Sequence, residues 1–230
     1  LDIYEKVIRE FANDDSGATT KAQFNIAKTY MKMGDYRNAI QVFLKARWKY
    51  CSDQRSSEIE YQIGNCLYLL NEYQDASNVL GNYLVNEEEG EFGENAIFLL
   101  GDCFYKLDNY LGAFQIFRKA TERYSKSNKV PGGIYCMGKS LRAMNMPESA
   151  IKILREGLQA FPVDDTAGKM AFEIGMCYFD KGDYCLAYNA FDSFVKQYPQ
   201  DELVVEAMIV MSESLLNDKK YVESTNSYFG

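Results

Sequence analysis

The sequence predicts an all-α fold, a solenoid of stacked helix-turn-helix hairpins, and two series of small residues predict it. The first series follows an aliphatic residue and recurs every 37 residues, at Ala27, Gly64, Gly101, Gly138, Gly175 and Ser212. The second recurs at the same interval, at Ala39, Ala76, Ala113, Ala150, Ala187 and Ser224. Small residues let a neighbouring helix approach the backbone, so each unit should contain two close helix crossings. One hairpin cannot bury its own apolar face, and the units must therefore stack.

Each unit carries two amphipathic stretches at helical spacing, separated by a short turn. In the first unit the apolar positions are Phe24, Ile26, Ala27 and Tyr30, then Tyr36, Ala39, Ile40, Phe43 and Ala46. The turn residue recurs in the same register and is Gly34, Asn71, Asp108, Asn145, Gly182 or Lys219. Most of these residue types tolerate the left-handed conformation that ends many helices, so we expect a hairpin around each turn.

This register makes residues 1–230 a single array. We expect residues 1–13 to be the second helix of a truncated upstream repeat, residues 20–202 to be five full repeats, and residues 203–230 to be a final repeat. The chain opens on Leu1 rather than methionine, inside a helical pattern. We therefore expect it to be a fragment of a longer protein.

The unit that ends at Pro199 resembles the tetratricopeptide repeat, whose signature is W-x2-L-G-x2-Y, then A-x3-F, then P. The matching residues are Ile174, Gly175, Tyr178, Tyr184, Ala187, Phe191 and Pro199. The tryptophan position departs from the signature, because it holds Gln23, Glu60, Ile97, Ile134, Ala171 and Met208. The resemblance implies a right-handed superhelix that acts as a protein-binding scaffold.

The period of this chain is longer than the usual 34 residues of that family. In four units, seven residues separate an apolar position from an aromatic one at the end of the second helix: Phe43 to Tyr50, Phe117 to Tyr124, Leu154 to Phe161 and Phe191 to Tyr198. This pattern is similar to the tetratricopeptide lipoproteins of the bacterial envelope, namely the accessory lipoprotein of the β-barrel assembly machine and the Tol-Pal-associated cell-division coordinator. It implies a periplasmic place in a multiprotein envelope assembly.

The composition excludes several classes of function. Lys and Arg total 25 against 33 Asp and Glu, which gives a net charge of −8, and histidine is absent. A Ser-His-Asp or Cys-His couple is impossible, and the negative charge disfavours nucleic acid, since phosphates are bound mainly by Lys and Arg. We predict no enzyme activity, no cofactor, no metal site and no small-molecule substrate. No apolar run is long enough to span a bilayer, so we expect membrane contact only through an anchor or partner outside this chain.

Three motifs receive structural interpretations. Residues 133–140 fit the phosphate-loop pattern G-x-x-x-x-G-K-[ST], but they lie in a helical register without a preceding strand, so we reject ATP binding. The acidic run at residues 87–94 lacks the ligand spacing of a calcium loop and should be a solvated join beside a helix N-terminus. The six cysteines lack C-x-x-C spacing and are expected to be free thiols: Cys51, Cys66, Cys103, Cys136, Cys177 and Cys185.

The candidate binding residues lie on the first helix of each hairpin, which lines the concave groove in the family that the sequence resembles. They are Phe24, Lys28, Tyr61, Asn65, Tyr68, Phe98, Asp102, Tyr105, Tyr135, Lys139, Phe172 and Phe179. Phe98 and Tyr135 are the predicted anchors, because they lie in the middle units. Two interpretations stay open: the rings receive a partner peptide or helix, or they pack between adjacent helices. The carboxylate clamp of the co-chaperone members is not reproduced, which disfavours chaperone-tail binding.

We therefore expect a non-enzymatic scaffold or adaptor that binds a segment of another protein in the groove, within a periplasmic cell-envelope assembly. Two alternatives stay open. One is a cytoplasmic adaptor or regulatory subunit, which the thiols favour. The other is a repeat region appended to a catalytic domain outside this chain.

Overall fold

Eleven α-helices make up the regular structure of the residues that the computed structural model describes, which are residue 6 and residues 18–47, 55–87 and 89–229. Side chains are described for Lys6 and for residues 21–47, 56–87 and 89–218. No strand occurs in this part of the chain, and the predicted all-α class is confirmed. The predicted helix over residues 1–13 lies outside the described residues apart from Lys6.

The helices fall into two compact units, one up to Asn109 and one from Tyr110. The first unit contains α1 (Ala18–Lys32), α2 (Tyr36–Arg47), α3 (Arg55–Leu69), α4 (Tyr73–Glu87) and α5 (Gly93–Lys106). The second contains α6 (Tyr110–Arg123), α7 (Val130–Ala143), α8 (Pro147–Ala160), α9 (Ala167–Lys181), α10 (Tyr184–Gln197) and α11 (Val204–Phe229). Within each unit, helices that follow one another along the chain pack side by side.

The turns that end the first helices are built alike. The turn residue has a positive φ, which is 75° at Gly34, 62° at Asn71, 56° at Asp108, 57° at Asn145 and 82° at Gly182. The next backbone N–H donates to the carbonyl five residues earlier, as from Asp35 to Tyr30 at 2.9 Å and from Asp183 to Tyr178 at 3.0 Å. These bonds satisfy carbonyls that the end of a helix would otherwise leave open. The turns predicted at these five positions are confirmed.

The small residues mark close helix crossings, as predicted. A Cβ built on Gly64 would lie 2.8 Å from Leu80, and one built on Gly175 would lie 2.6 Å from the Phe191 ring. A Cβ on Gly138 would likewise overlap Leu154. The second series is fully buried at Ala39, Ala76, Ala113, Ala150 and Ala187. Large side chains of the second helices therefore fill the space that the glycines leave.

The sixth turn, predicted at Lys219, is wrong. α11 is one helix of 26 residues that passes through this position. The physical reason is the residue type, because lysine pays about 1–2 kcal/mol for the left-handed conformation and lacks the short polar side chain that helps Asn and Asp adopt it. Neither glycine nor proline interrupts residues 204–229. The helix therefore continues, and the expected final hairpin does not form in this structure.

Candidate protein-binding surface

In the first unit, a lysine and several rings line the first helices of the hairpins. Lys28 on α1 lies over the ring of Phe24, with Nζ 4.9 Å from the ring centroid, and donates a hydrogen bond to Glu58 Oε1 at 3.1 Å. Tyr61 on α3 stacks on Phe92, with ring centroids 4.9 Å apart. Burial raises the pKa of the Tyr61 phenol, so this ring stays neutral. The predicted residues Asn65, Tyr68, Asp102 and Tyr105 are also half-buried on these helices.

The second unit repeats the pairing of ring and lysine on α7. Lys139 Nζ lies 5.4 Å from the centroid of the Tyr135 ring. Both residues stand three periods of 37 residues after Phe24 and Lys28 in the sequence. A cation over a ring face is an electrostatically attractive arrangement. A lysine beside an aromatic ring thus recurs at the same register position in both units.

Several predicted groove rings also pack on the second helix of their own hairpin. Phe24 meets Phe43 edge-on at a centroid distance of 5.7 Å. Tyr68 meets Tyr73 at 5.5 Å, and Phe179 meets Tyr184 at 5.6 Å, in the same edge-on geometry. These rings therefore contribute to the fold as well as to the surface of the first helices.

Two of the predicted groove rings are buried. Phe98 is 8% exposed and Phe172 is 6% exposed. Phe172 packs against Phe191 and Phe194 of α10, at centroid distances of 5.3 and 5.8 Å. The helix α10, which crosses α9 at Gly175, covers the Phe172 ring. Phe98 therefore cannot serve as an exposed anchor, whereas Tyr135 remains half-buried, and a binding role for the other residues stays a prediction.

Sequence reasoning missed a charged cluster on α7 and α9. Arg142 Nε lies 2.6 Å from Glu173 Oε1, and Arg142 Nη1 lies 3.1 Å from Asp180 Oδ2. Glu173 is only 4% exposed, so it is a buried carboxylate held by a guanidinium. The register offered a signal, because Arg142 stands where Tyr68 and Phe179 stand in other repeats.

Burial and ion pairing act against each other in this cluster. Burial raises the pKa of the Glu173 carboxyl above its ordinary value, although Arg142 and Lys139 favour its charged form. Burial alone would lower the pKa of the Arg142 guanidinium, but Glu173 and Asp180 raise it, and the net direction is upward. Arg142 therefore keeps its charge at any physiological pH.

The motifs that the sequence suggested have structural roles. Residues 133–140, which fit the phosphate-loop pattern, lie within α7 and form no loop. Ser140 Oγ donates to the Cys136 carbonyl at 2.7 Å, and Gly138 is the crossing glycine. The acidic run ends with Glu94 in the first turn of α5, as predicted. Burial raises the pKa of the thiols of Cys66, Cys103 and Cys177 to about 12, which leaves them protonated and weakly nucleophilic at neutral pH.

Five cysteines fall within the described side chains, and all are free thiols: Cys66, Cys103, Cys136, Cys177 and Cys185. Cys51 lies outside the described residues. In the part of the chain that the structure describes, no three acidic or thiol groups gather where they could hold a metal ion. The described helices also lack a segment with the length and hydropathy of a membrane span.

Three segments of the chain match known family models. Family models of the tetratricopeptide repeat match residues 20–46, 95–127 and 171–201. No curated protein matches the sequence. Each matched segment contains one of the crossing residues, namely Ala27, Gly101 or Gly175.

Solved structures share the fold at low sequence identity. MamA from Desulfovibrio magneticus RS-1 is 18% identical, with a TM-score of 0.67 over 80% of this chain and 97% of its own. YrrB, described as a TPR protein with an unusual peptide-binding site, is 18% identical, with a TM-score of 0.65 over 89% of this chain and 97% of its own. A thermophilic TPR protein from Thermus thermophilus is 12% identical, with a TM-score of 0.53 over 86% of this chain and 99% of its own.

Proteins built from such repeats are in general scaffolds that bind protein or peptide partners. The matched segments agree with the 37-residue period of the sequence. They also agree with the left-handed turns and the glycine crossings of the structure. Taken together, the family models and the solved structures support the tetratricopeptide-repeat family for this chain.

Proposed function

We propose that this protein is a non-catalytic scaffold that binds a peptide or helical segment of another protein along the first helices of its repeats. The observation that carries the proposal is the recurrence of a half-buried ring beside a lysine at one register position in both units, Phe24 with Lys28 and Tyr135 with Lys139. A ring supplies apolar contact area with little conformational entropy to lose, and the lysine selects charge. The partner segment should therefore carry apolar side chains next to carboxylates.

The fold of the relatives supports this proposal. YrrB, whose fold this chain shares, is described as having a peptide-binding site. The chain has no histidine for a Ser-His or Cys-His couple, and the thiols of Cys66, Cys103 and Cys177 stay protonated, which favours binding over nucleophilic catalysis at these groups. A catalytic domain outside this chain is the alternative from another class.

Affinity capture with matched variants tests the binding surface. Tyr135→Ala should lose the proteins that the wild type enriches, because interface energy concentrates in central aromatic residues. Val163→Ala should retain them, since Val163 is exposed on the join between α8 and α9 and is not part of a first helix. The captured segment, titrated against both variants, should bind Tyr135→Ala weaker by about 2 kcal/mol. Equal capture by Tyr135→Ala, with helicity unchanged by circular dichroism, would contradict the proposed surface.

We also propose that the scaffold works in a bacterial cell envelope, on the periplasmic side, with membrane contact through an anchor or partner outside this chain. The support is the resemblance of the long repeat to the envelope tetratricopeptide lipoproteins. Cell fractionation of the full-length protein tests it. Recovery with the envelope or periplasmic fraction is expected, and recovery with the cytosol would favour the cytoplasmic adaptor or regulatory subunit.

A further inference from the structure

One face of α11 is an apolar stripe at the surface of the second unit. The opposite side of the helix is packed, because Ala207 and Val210 join the core formed with Phe191 and Phe194 of α10. The stripe residues are between 45% and 70% exposed: Val205, Met208, Ile209, Leu215 and Leu216. At about 3.6 residues per turn, these positions and position 212 share one helical face. A contiguous exposed apolar surface of this kind is typical of an interaction site, whereas scattered exposed residues are not.

The polar side chain within the stripe does not oppose an apolar partner. Ser212 Oγ donates a hydrogen bond to the Met208 carbonyl at 3.0 Å, one turn earlier in the same helix. Its hydroxyl proton is therefore already used inside α11. A partner that covers the stripe leaves no hydroxyl donor unsatisfied at Ser212, so burial of this position carries little penalty.

The shape that fits this stripe is a helix. Positions 209, 212 and 216 stand 37 residues after Phe172, Gly175 and Phe179 of α9. There the second helix of the hairpin covers the surface, since Phe172 and Gly175 face Phe191, and Phe179 meets Tyr184. α11 instead runs on as one helix through the position of the turn, so it does not fold back over its own stripe. The stripe thus has the register of a surface that an antiparallel helix buries.

Carboxylates lie along one edge of the stripe. Glu206 and Glu213 are both exposed, and they are seven residues apart in the sequence. Seven residues make two helical turns, so both carboxylates lie on the same edge, roughly 10 Å from each other along the helix. Residues 204–218 contain no lysine or arginine. The charge beside the stripe is therefore negative, and it complements a basic partner.

We propose that the stripe of α11 binds an amphipathic helix of another protein, one that carries lysine or arginine two turns apart beside its apolar face. This surface goes beyond the scaffold function proposed above, because it selects the opposite charge. Ile209 and Glu213 stand two periods of 37 residues after Tyr135 and Lys139, so a carboxylate occupies the register position that holds a lysine on α7. An acidic segment that suits α7 is thus repelled at α11.

The same charges disfavour a second copy of this chain as the occupant. A two-fold axis that relates two antiparallel α11 helices, stripe against stripe, places the Glu206 and Glu213 edges of both copies on the same side. Four carboxylates would then adjoin, and like charges across an interface weaken it. A basic helix meets attraction at the same edge.

Fluorescence anisotropy with three synthetic helical peptides tests the proposal. All three carry the same face of leucines, and two positions beside that face, seven residues apart, are lysine, glutamine or glutamate. The wild type should bind the lysine peptide about tenfold tighter than the glutamate peptide, because two attractive pairs replace two repulsive ones. The glutamine peptide should bind with intermediate affinity. Equal binding of the three peptides, or no binding of the lysine peptide, would overturn the proposal.

Matched charge reversals distinguish this surface from a general attraction to an acidic protein. The double variant Glu206→Lys, Glu213→Lys should prefer the glutamate peptide. The double variant Glu122→Lys, Glu156→Lys changes the net charge equally, at exposed positions of α6 and α8, and should keep the preference for lysine. A reversal by both double variants would show attraction by net charge alone and would refute the site.

A polar substitution within the stripe tests its apolar part. Ile209→Gln keeps a good helix-forming residue and should bind the lysine peptide about fivefold weaker or more, because apolar contact area is lost. Val163→Gln, which changes an exposed valine on the join between α8 and α9, should bind like the wild type. Circular dichroism should show equal helicity in all variants. If sedimentation velocity found a wild-type dimer that Ile209→Gln disrupts, a second copy would be the occupant and the proposal would be wrong.

Discussion

Glu173 is a buried carboxylate at a position where the other repeats carry uncharged residues. Those residues are Asn25, Gln62, Leu99, Cys136 and Val210. The cost of burying the charge is offset by Arg142, which also reaches Asp180 on the next turns of α9. A buried ion pair adds little net stability, but removal of one partner leaves an uncompensated charge. This pair therefore fixes α7 against α9 more than it strengthens the fold.

The raised pKa of Glu173 predicts how stability changes with pH. A carboxyl whose pKa is raised in the folded state favours folding most below its unfolded value, near 4.5, and loses that contribution as the pH rises through the folded value. The stability of the wild type relative to Glu173→Gln should therefore fall as the pH rises above the ordinary carboxyl value of 4.5. Urea unfolding of both proteins at several pH values measures the difference, in which the other carboxyls cancel. A difference that grows with pH would show that Arg142 outweighs burial.

At the scale of the element, the conformation of a single turn residue decides whether a hairpin forms. Gly182 and Asn145 both adopt positive φ values, of 82° and 57°, and both are followed by a second helix. Lys219 stands in the same register and remains inside α11. The hairpin is thus specified locally, by residues that differ in their tolerance of one backbone conformation.

Substitution at the turn should therefore cost stability without any change in packing. A Cβ on Gly182 would meet no atom within 4 Å, so Gly182→Ala pays only the backbone penalty, about 1–2 kcal/mol. Gly132→Ala is the matched control, because Gly132 lies inside α7 with equally open surroundings and should be stabilised by about 0.5–1 kcal/mol. Chemical unfolding of both variants measures these changes. Equal effects of the two substitutions would contradict the conformational explanation.

The sequence predicted the features that depend on backbone conformation and residue size. Repeat length, the five glycine, asparagine or aspartate turns and the glycine crossings all follow from residue size and φ preference, which a single sequence displays. The groove residues were harder to predict, because a ring such as Phe172 is buried or exposed according to which side chain crosses it. The pairing of Arg142 with Glu173 escaped notice because it joins two helices. The register shows that Arg142 departs from the rings of other repeats, but it does not show which residue Arg142 contacts.

At the scale of the whole molecule, the repeats make stability a sum of local contributions. In such arrays each repeat contacts only its neighbours, so a defect should spread no further than adjacent repeats. The two compact units each contain their own crossings, at Gly64 in the first and at Gly175 in the second. A protein of this kind can lose order in one unit and keep it in the other, which suits a scaffold whose binding surface is divided between repeats.

Hydrogen exchange should reveal this independence. Gly64→Leu forces a side chain against Leu80, and Gly175→Leu forces one against Phe191, and each overpacked crossing should cost about 1–3 kcal/mol. In Gly64→Leu the amides of α3 and α4 should exchange faster, whereas those of α9 and α10 should keep their wild-type protection. Gly175→Leu should give the reverse pattern. Mass spectrometry of deuterated peptides under native conditions resolves the two sets of helices. If either variant lowered protection equally in both sets, the array would unfold as a single cooperative body, and stability would not be a local sum.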